Sequence, residues 1–106
     1  MNPTTNENDR AMRLLDGIRD PIRMDIIFLL ADGKSLNVGD ITSRFKVSRP
    51  AISHHLKVLK DAEIVISEKT GQEVFYRLDR QRIVTGLRLI ADSIEVCWLS
   101  PKSDQE

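Results

Sequence analysis

This sequence of 106 residues predicts a mainly α-helical domain with one β-hairpin, on two changes of apolar period and one concentration of charge. Apolar residues recur at steps of three and four from Asp9 to Ala62, the step falls to two between Ile64 and Leu78, and helical spacing returns from Asp79 to Leu99. Between Arg44 and Lys60 lie five basic side chains (Arg44, Lys46, Arg49, Lys57, Lys60), both histidines and no acid, although the formal net charge is zero. All 16 acids therefore lie outside that stretch, and the segregation marks it as a place for a polyanion to bind.

Each element has its own signals. Asp9 to Ile18 reads as a first helix, with Met12, Leu15 and Leu14/Ile18 along one side. Asp20 is placed to cap a second helix whose first turn tolerates Pro21 and whose buried stripe is Ile22, Ile26, Leu29 and Leu30; Gly33 ends it. Asn37 is placed to cap a third, with Val38, Ile41 and Phe45 inward. After a turn at Val47, Ser48 caps a fourth helix that carries Pro50 in its first turn and Ile52, Leu56 and Leu59 on its inner face. Ile64–Lys69 and Glu73–Leu78 flank Thr70-Gly71-Gln72 as a hairpin rich in branched and aromatic residues. The last helix repeats Ile83, Leu87, Ile90, Ile94 and Cys97/Trp98. Residues 1–8 and 100–106 are polar and aperiodic, which predicts disordered tails around a single domain at 9–99.

Several function classes are excluded. No apolar run approaches the roughly 18 residues that span a bilayer, so no membrane partner is expected. Met1-Asn2-Pro3-Thr4-Thr5 lacks the basic and apolar regions of a secretory signal, which predicts a cytoplasmic location. Cys97 is the single cysteine and cannot form a disulfide within the chain. Ser53 beside two histidines is no catalytic constellation, because an exposed helix with no nearby acid supplies neither a convergent base nor a group to orient it. His54 and His55 point about 100° apart and cannot easily share a metal. Neither an enzyme nor a bound cofactor is expected, and His55 is read as a structural, hydrogen-bonded core residue.

Two short helices, a tight turn, a hairpin and a long closing helix make a winged helix-turn-helix. With Ile52, Leu56 and Leu59 inward, steps of 100° turn Arg49, Pro50, Ser53, His54 and Lys57 to solvent, the face expected in a major groove of duplex DNA. Arg49 is the best candidate for reading a guanine, since its fork donates two hydrogen bonds to O6 and N7. Ser48, Ser53 and His54 suit phosphate or base edges, and Arg44, Lys46, Lys57 and Lys60 suit phosphates. Lys69, Thr70 and Gln72 belong to the wing. The closing helix is long for so small a domain, and a homodimer that buries Ile83, Leu87, Ile90, Ile94, Cys97 and Trp98 against a second copy explains its length.

The segments Asp20-Pro21-Ile22-Arg23, Val38-Gly39-Asp40-Ile41, Ser48-Arg49-Pro50-Ala51-Ile52-Ser53-His54-His55-Leu56-Lys57-Val58-Leu59, the Gly71 turn and Tyr76-Arg77-Leu78 together resemble the ArsR/SmtB family of dimeric bacterial repressors. The resemblance runs from Ile18 to Leu78. It implies a dimer built from the first and last helices, bringing Leu14 and Leu15 to the interface, a fourth helix that reads an operator, and an effector that lowers DNA affinity. The chain departs from the family's metal sensors. Asn37-Val38-Gly39 stands where arsenic- and cadmium-type members have Cys-Val-Cys, and Arg80-Gln81-Arg82, Ser93 and Val96 stand at the zinc-type ligand positions.

The expectation is a sequence-specific dimeric repressor that binds an inverted-repeat operator without the usual metal sites. Other readings stay open at this point: a metal- or redox-responsive sensor using a non-standard site or Cys97, control by an inducer or an antirepressor protein, and a winged helix that serves only as a protein-interaction module.

Overall fold

The computed structural model describes the backbone of residues 3–99 and the side chains of residues 7–96. Its elements run α1 (Pro3–Ile18), α2 (Pro21–Leu30), β1 (Leu36–Asn37), α3 (Val38–Thr42), α4 (Arg49–Asp61), β2 (Val65–Thr70), β3 (Glu73–Leu78) and α5 (Arg80–Leu99). This is the winged helix-turn-helix order, with one strand added. β1 pairs antiparallel with β3, giving the sheet order β1-β3-β2; two residues are too few to leave a period in the sequence.

Local chemistry sets most boundaries. Asp20 Oδ2 accepts from the amides of Ile22 (2.9 Å) and Arg23 (3.1 Å), so α2 starts at Pro21, whose missing N–H costs nothing there. Asn37 Oδ1 accepts from Asp40 N at 2.7 Å and Ser48 Oγ from Ala51 N at 3.3 Å, capping α3 and α4. Gly71 is the first of two residues between Thr70 and Glu73 and takes φ 64, the position a two-residue hairpin turn gives to glycine.

Two boundaries differ from expectation by more than a single residue. α1 begins at Pro3 rather than Asp9, so residues 3–8 are helical and not a tail. Periodicity detects only a buried stripe, and those residues contain no apolar side chain besides proline, which is favoured at a first helical position. α3 stops at Thr42, before Phe45, because the chain tightens into i→i+3 bonds from Arg44 N to Ile41 O and Phe45 N to Thr42 O, both 3.0 Å. The expected tail at 100–106 lies outside the described residues.

Leu14, Ile26, Leu30, Ile41, Ile52, Leu56, Leu59 and Ile64 are fully buried, so α1, α2, α3, α4 and the approach to β2 converge on one core. Each such side chain contributes about 1.5–3 kcal/mol. Bare backbone on two helices lets them close around it. A Cβ on Gly17 would lie 2.5 Å from Ile64 Cδ1, and one on Gly86 would lie 2.5 Å from Leu14 Cδ2. Leu14 thus corrects the sequence reading: assigned to a surface shared between copies, it is instead sealed inside its own protomer against α5.

The outer sides of α1 and α5 are a different matter. Met12 and Leu15 on α1, with Val84, Leu87, Leu89, Ile94 and Val96 on α5, leave large apolar side chains in solvent. Ile83 packs against the core and Ile90 is half-buried. The side chains of Cys97 and Trp98, both expected at a shared interface, lie outside those described.

Candidate nucleic-acid interface

α4 separates its residues by face. Ile52, Leu56 and Leu59 seal its underside, while Arg49, Pro50, Ser53, His54, Lys57 and Lys60 are exposed. A helix with a closed apolar face has one orientation on its core, so the polar face is held out as a fixed surface. Arg44, Lys46 and Ser48 in the preceding turn are exposed, as are Lys69, Thr70 and Gln72 around the hairpin tip. Every residue assigned from the sequence to DNA contact is therefore solvent-accessible.

The positions are not equivalent. The Arg49 guanidinium lies over the start of α3, where a Cβ on Gly39 would stand 3.7 Å from it. Ser48 Oγ spends an acceptor position on the α4 cap and keeps its hydroxyl proton to donate. Lys57 forms an exposed i,i+4 pair with Asp61 at 3.3 Å, a contact weak enough for a phosphate to displace. Lys60, at the far end of α4, lines a cleft of about 880 Å³ together with Glu63, β2 and α5. The wing carries Glu68 and Glu73 beside Lys69, and Glu73 is engaged by the Asn37 side chain. Cationic character is thus concentrated on α4 and the turn before it.

Beneath this surface lies a polar joint in which His55 is the structural, hydrogen-bonded residue the sequence led one to expect, while its partner Arg23 was missed. His55 is 14 % exposed, with Nδ1 3.2 Å from an Arg23 guanidinium nitrogen and 3.9 Å from Asp20 Oδ2. Arg23 also donates from Nε to Gly17 O (2.8 Å) and from Nη2 to Asp16 O (3.0 Å). The Asp20 carboxyl sits below its ordinary value, chiefly because it accepts from the Arg23 amide, with His55, the Arg23 charge and the Ile22 amide acting the same way against a smaller opposing effect of burial. At the other end of α4, Arg82 donates from Nη2 to Arg10 O (2.9 Å) and Ala62 O (3.3 Å). Burial, reinforced by nearby Arg10, pulls this guanidinium down from its ordinary value, while Glu63 and Asp79 oppose the shift. Arg23 and Arg82 left no signal in the pattern of apolar residues, because each joins groups far apart in sequence, Arg23 through the His55 side chain and Arg82 through the carbonyls of Arg10 and Ala62.

Among the described residues no group of three or more His, Cys, Asp or Glu is arranged around a metal-sized space, and no helix is long and apolar enough to cross a membrane.

Comparison with known proteins follows the same lines. Residues 20–67 match the model of the bacterial regulatory protein, arsR family. The chain is similar to the transcriptional repressor SdpR of Bacillus subtilis (strain 168), 44 % identical over 62 residues covering 58 % of this chain and 68 % of that one. It is also similar to the crystal structure of a possible transcriptional regulator for arsenical resistance, at 37 % identity and TM-score 0.67 over 76 % of this chain and 82 % of that one. The fold is shared with the homodimeric winged helix-turn-helix DNA-binding domain Mb0332 from Mycobacterium bovis, at TM-score 0.72 and 20 % identity over 91 % and 88 % of the two chains. With α2, α3, the turn, α4 and the start of the wing all inside the matched segment, the chain belongs to the ArsR family, as a transcriptional repressor with a winged helix-turn-helix DNA-binding fold.

Proposed function

We propose that the chain represses transcription as a homodimer that places two copies of α4 in successive major grooves of an inverted-repeat operator. The observation that carries this reading is the division of α4: an underside with no exposure at Ile52, Leu56 and Leu59, and an opposite face that is polar, basic and free of covering segments. Arg49 reads a base edge. Ser48, Pro50, Ser53 and His54 complete the surface that enters the groove, Arg44, Lys46, Lys57 and Lys60 neutralise phosphates, and Lys69, Thr70 and Gln72 touch the flanking backbone.

The dimeric part of the proposal is supported by the apolar side chains left in solvent on α1 and α5, Leu15, Leu87 and Ile94 among them, with half-buried Ile83 and Ile90 at their edge and without Leu14. A twofold axis through that platform sets the two α4 helices about 34 Å apart, one turn of B-DNA. Control does not run through the usual metal sites of the family, because Asn37, Gly39, Arg80, Arg82, Ser93 and Val96 supply no thiolate, imidazole or carboxylate at those positions.

Selection of bound duplexes from random sequence, followed by mobility shift over a salt series, tests the reading. The expected result is a palindromic consensus and an affinity that falls steeply with salt. Salt-insensitive or absent DNA binding removes it and leaves the winged helix as a protein-interaction module.

A further inference from the structure

We propose that Arg23 is a positioning residue that fixes the angle and height of the recognition helix on α1 by donating to His55, and so sets the half-site spacing the dimer accepts. The proposal rests on the reading of α4 as one of a pair of groove-entering helices.

The geometry is specific. A guanidinium has only donors, so in this contact His55 Nδ1 is the acceptor. One planar group thereby satisfies three acceptors: the carbonyls of Asp16 and Gly17 in the last turn of α1, which have no partner within the helix, and the ring nitrogen midway along α4. Asp20 holds the base of Arg23, since its carboxylate accepts from the Arg23 amide. Arg82 makes a second tie between α1 and α4, from Arg10 O to the α4 cap at Ala62 O. Beside it Glu63 holds a left-handed φ of 65, a strained conformation for a residue with a Cβ.

Apolar packing between α1 and α4 is non-directional and permits small slides, whereas hydrogen bonds to fixed carbonyls do not. α1 also carries part of the platform assigned to dimerisation. Any shift of α4 on α1 is therefore copied by the twofold axis and appears twice in the distance between the two recognition helices.

The test uses the full-length protein, the duplex that wild type selects from random sequence, and two further duplexes with the half-sites one base pair closer or farther apart. Wild type is expected to discriminate against the shifted duplexes by about tenfold or more. Arg23→Lys keeps the charge, but its single nitrogen cannot span the three acceptors that Nε, Nη1 and Nη2 reach separately; it should leave dimer mass and affinity for random DNA within about twofold of wild type, while most of the spacing preference disappears. His55→Leu should do the same. His55→Asn, whose Oδ1 stands close to where Nδ1 stood, should restore the preference, which a merely bulky role for His55 would not predict.

Equal loss on native, shifted and random duplexes overturns the inference, and so does full spacing preference in both Arg23→Lys and His55→Leu. Should Arg23→Lys fail to fold, the Leu and Asn variants at position 55 decide alone, and equal behaviour of those two overturns it. A wild type that selects no duplex overturns the functional reading and this inference with it; a wild type with sharp spacing and variants unchanged overturns only this inference.

Discussion

α4 and α5 carry the same kind of apolar repeat, yet one is sealed and the other is open. Ile52, Leu56 and Leu59 on α4 have no exposure, whereas Leu87 and Ile94 on α5 remain 40 % and 65 % exposed. A period of three and four says that one side of a helix wants burial; it does not say whether the covering surface belongs to the same chain. The α4 stripe is satisfied inside the protomer, so its other face is free to be a tool. Part of the α5 stripe is satisfied only through Gly86 and Ile83, and the remainder stays in solvent.

The largest expected effect falls on the sealed side. Leu56→Ala should cost about 2–5 kcal/mol in urea unfolding, because its neighbours cannot collapse into the space it leaves. A loss below 1 kcal/mol would mean that the underside of α4 is loosely packed and the contrast with α5 is weaker than drawn. On the open side, Leu87→Glu should leave the protomer folded by circular dichroism but weaken self-association about a hundredfold in sedimentation, since the charge enters a twofold interface from both copies. Dimers that persist unchanged at micromolar concentration would place the interface elsewhere.

The tool face gives a smaller effect. Arg49→Ala should lower affinity by about 1–3 kcal/mol and relax preference at one base pair in each half-site. Equal weakening on specific and random DNA would reassign Arg49 to phosphate contact. Next comes the cap that starts α2. Asp20→Ala should destabilise by about 1 kcal/mol at pH 7. Because the folded-state pKa of Asp20 is depressed, its ionised contribution is complete above the ordinary value of 3.8 and is lost as pH falls through the folded value. The gap between wild type and Asp20→Ala should therefore narrow in unfolding measured at pH 3, and a constant gap would show that the charge plays no part. The smallest change is expected for Lys57→Ala, which should weaken all duplexes alike and flatten the salt slope by about one unit.

Much of the site was legible in the sequence because its signals are local. Ser48, Pro50 and the Ile52-Leu56-Leu59 spacing locate α4, and once the inner face is known the outward direction of Arg49, Ser53 and Lys57 follows from helix geometry. The polar joint was not legible. Nothing in Arg23 or His55 alone announces that a side chain on α2 will reach both the end of α1 and the middle of α4.

Leu14 teaches the same lesson from the apolar side. It belongs to the repeat of α1 like Leu15, and only the approach of Gly86 decides that one leucine is core while the other stays partly exposed. The order of the five helices and the hairpin, the helix caps, the hairpin turn and the basic face were written in the sequence, since each depends on residues within a turn or two of one another, whereas the two residues of β1 were not. Tertiary structure alone decided which apolar residues were consumed inside the protomer and how α4 is tied to α1, because those outcomes depend on groups brought together from distant parts of the chain.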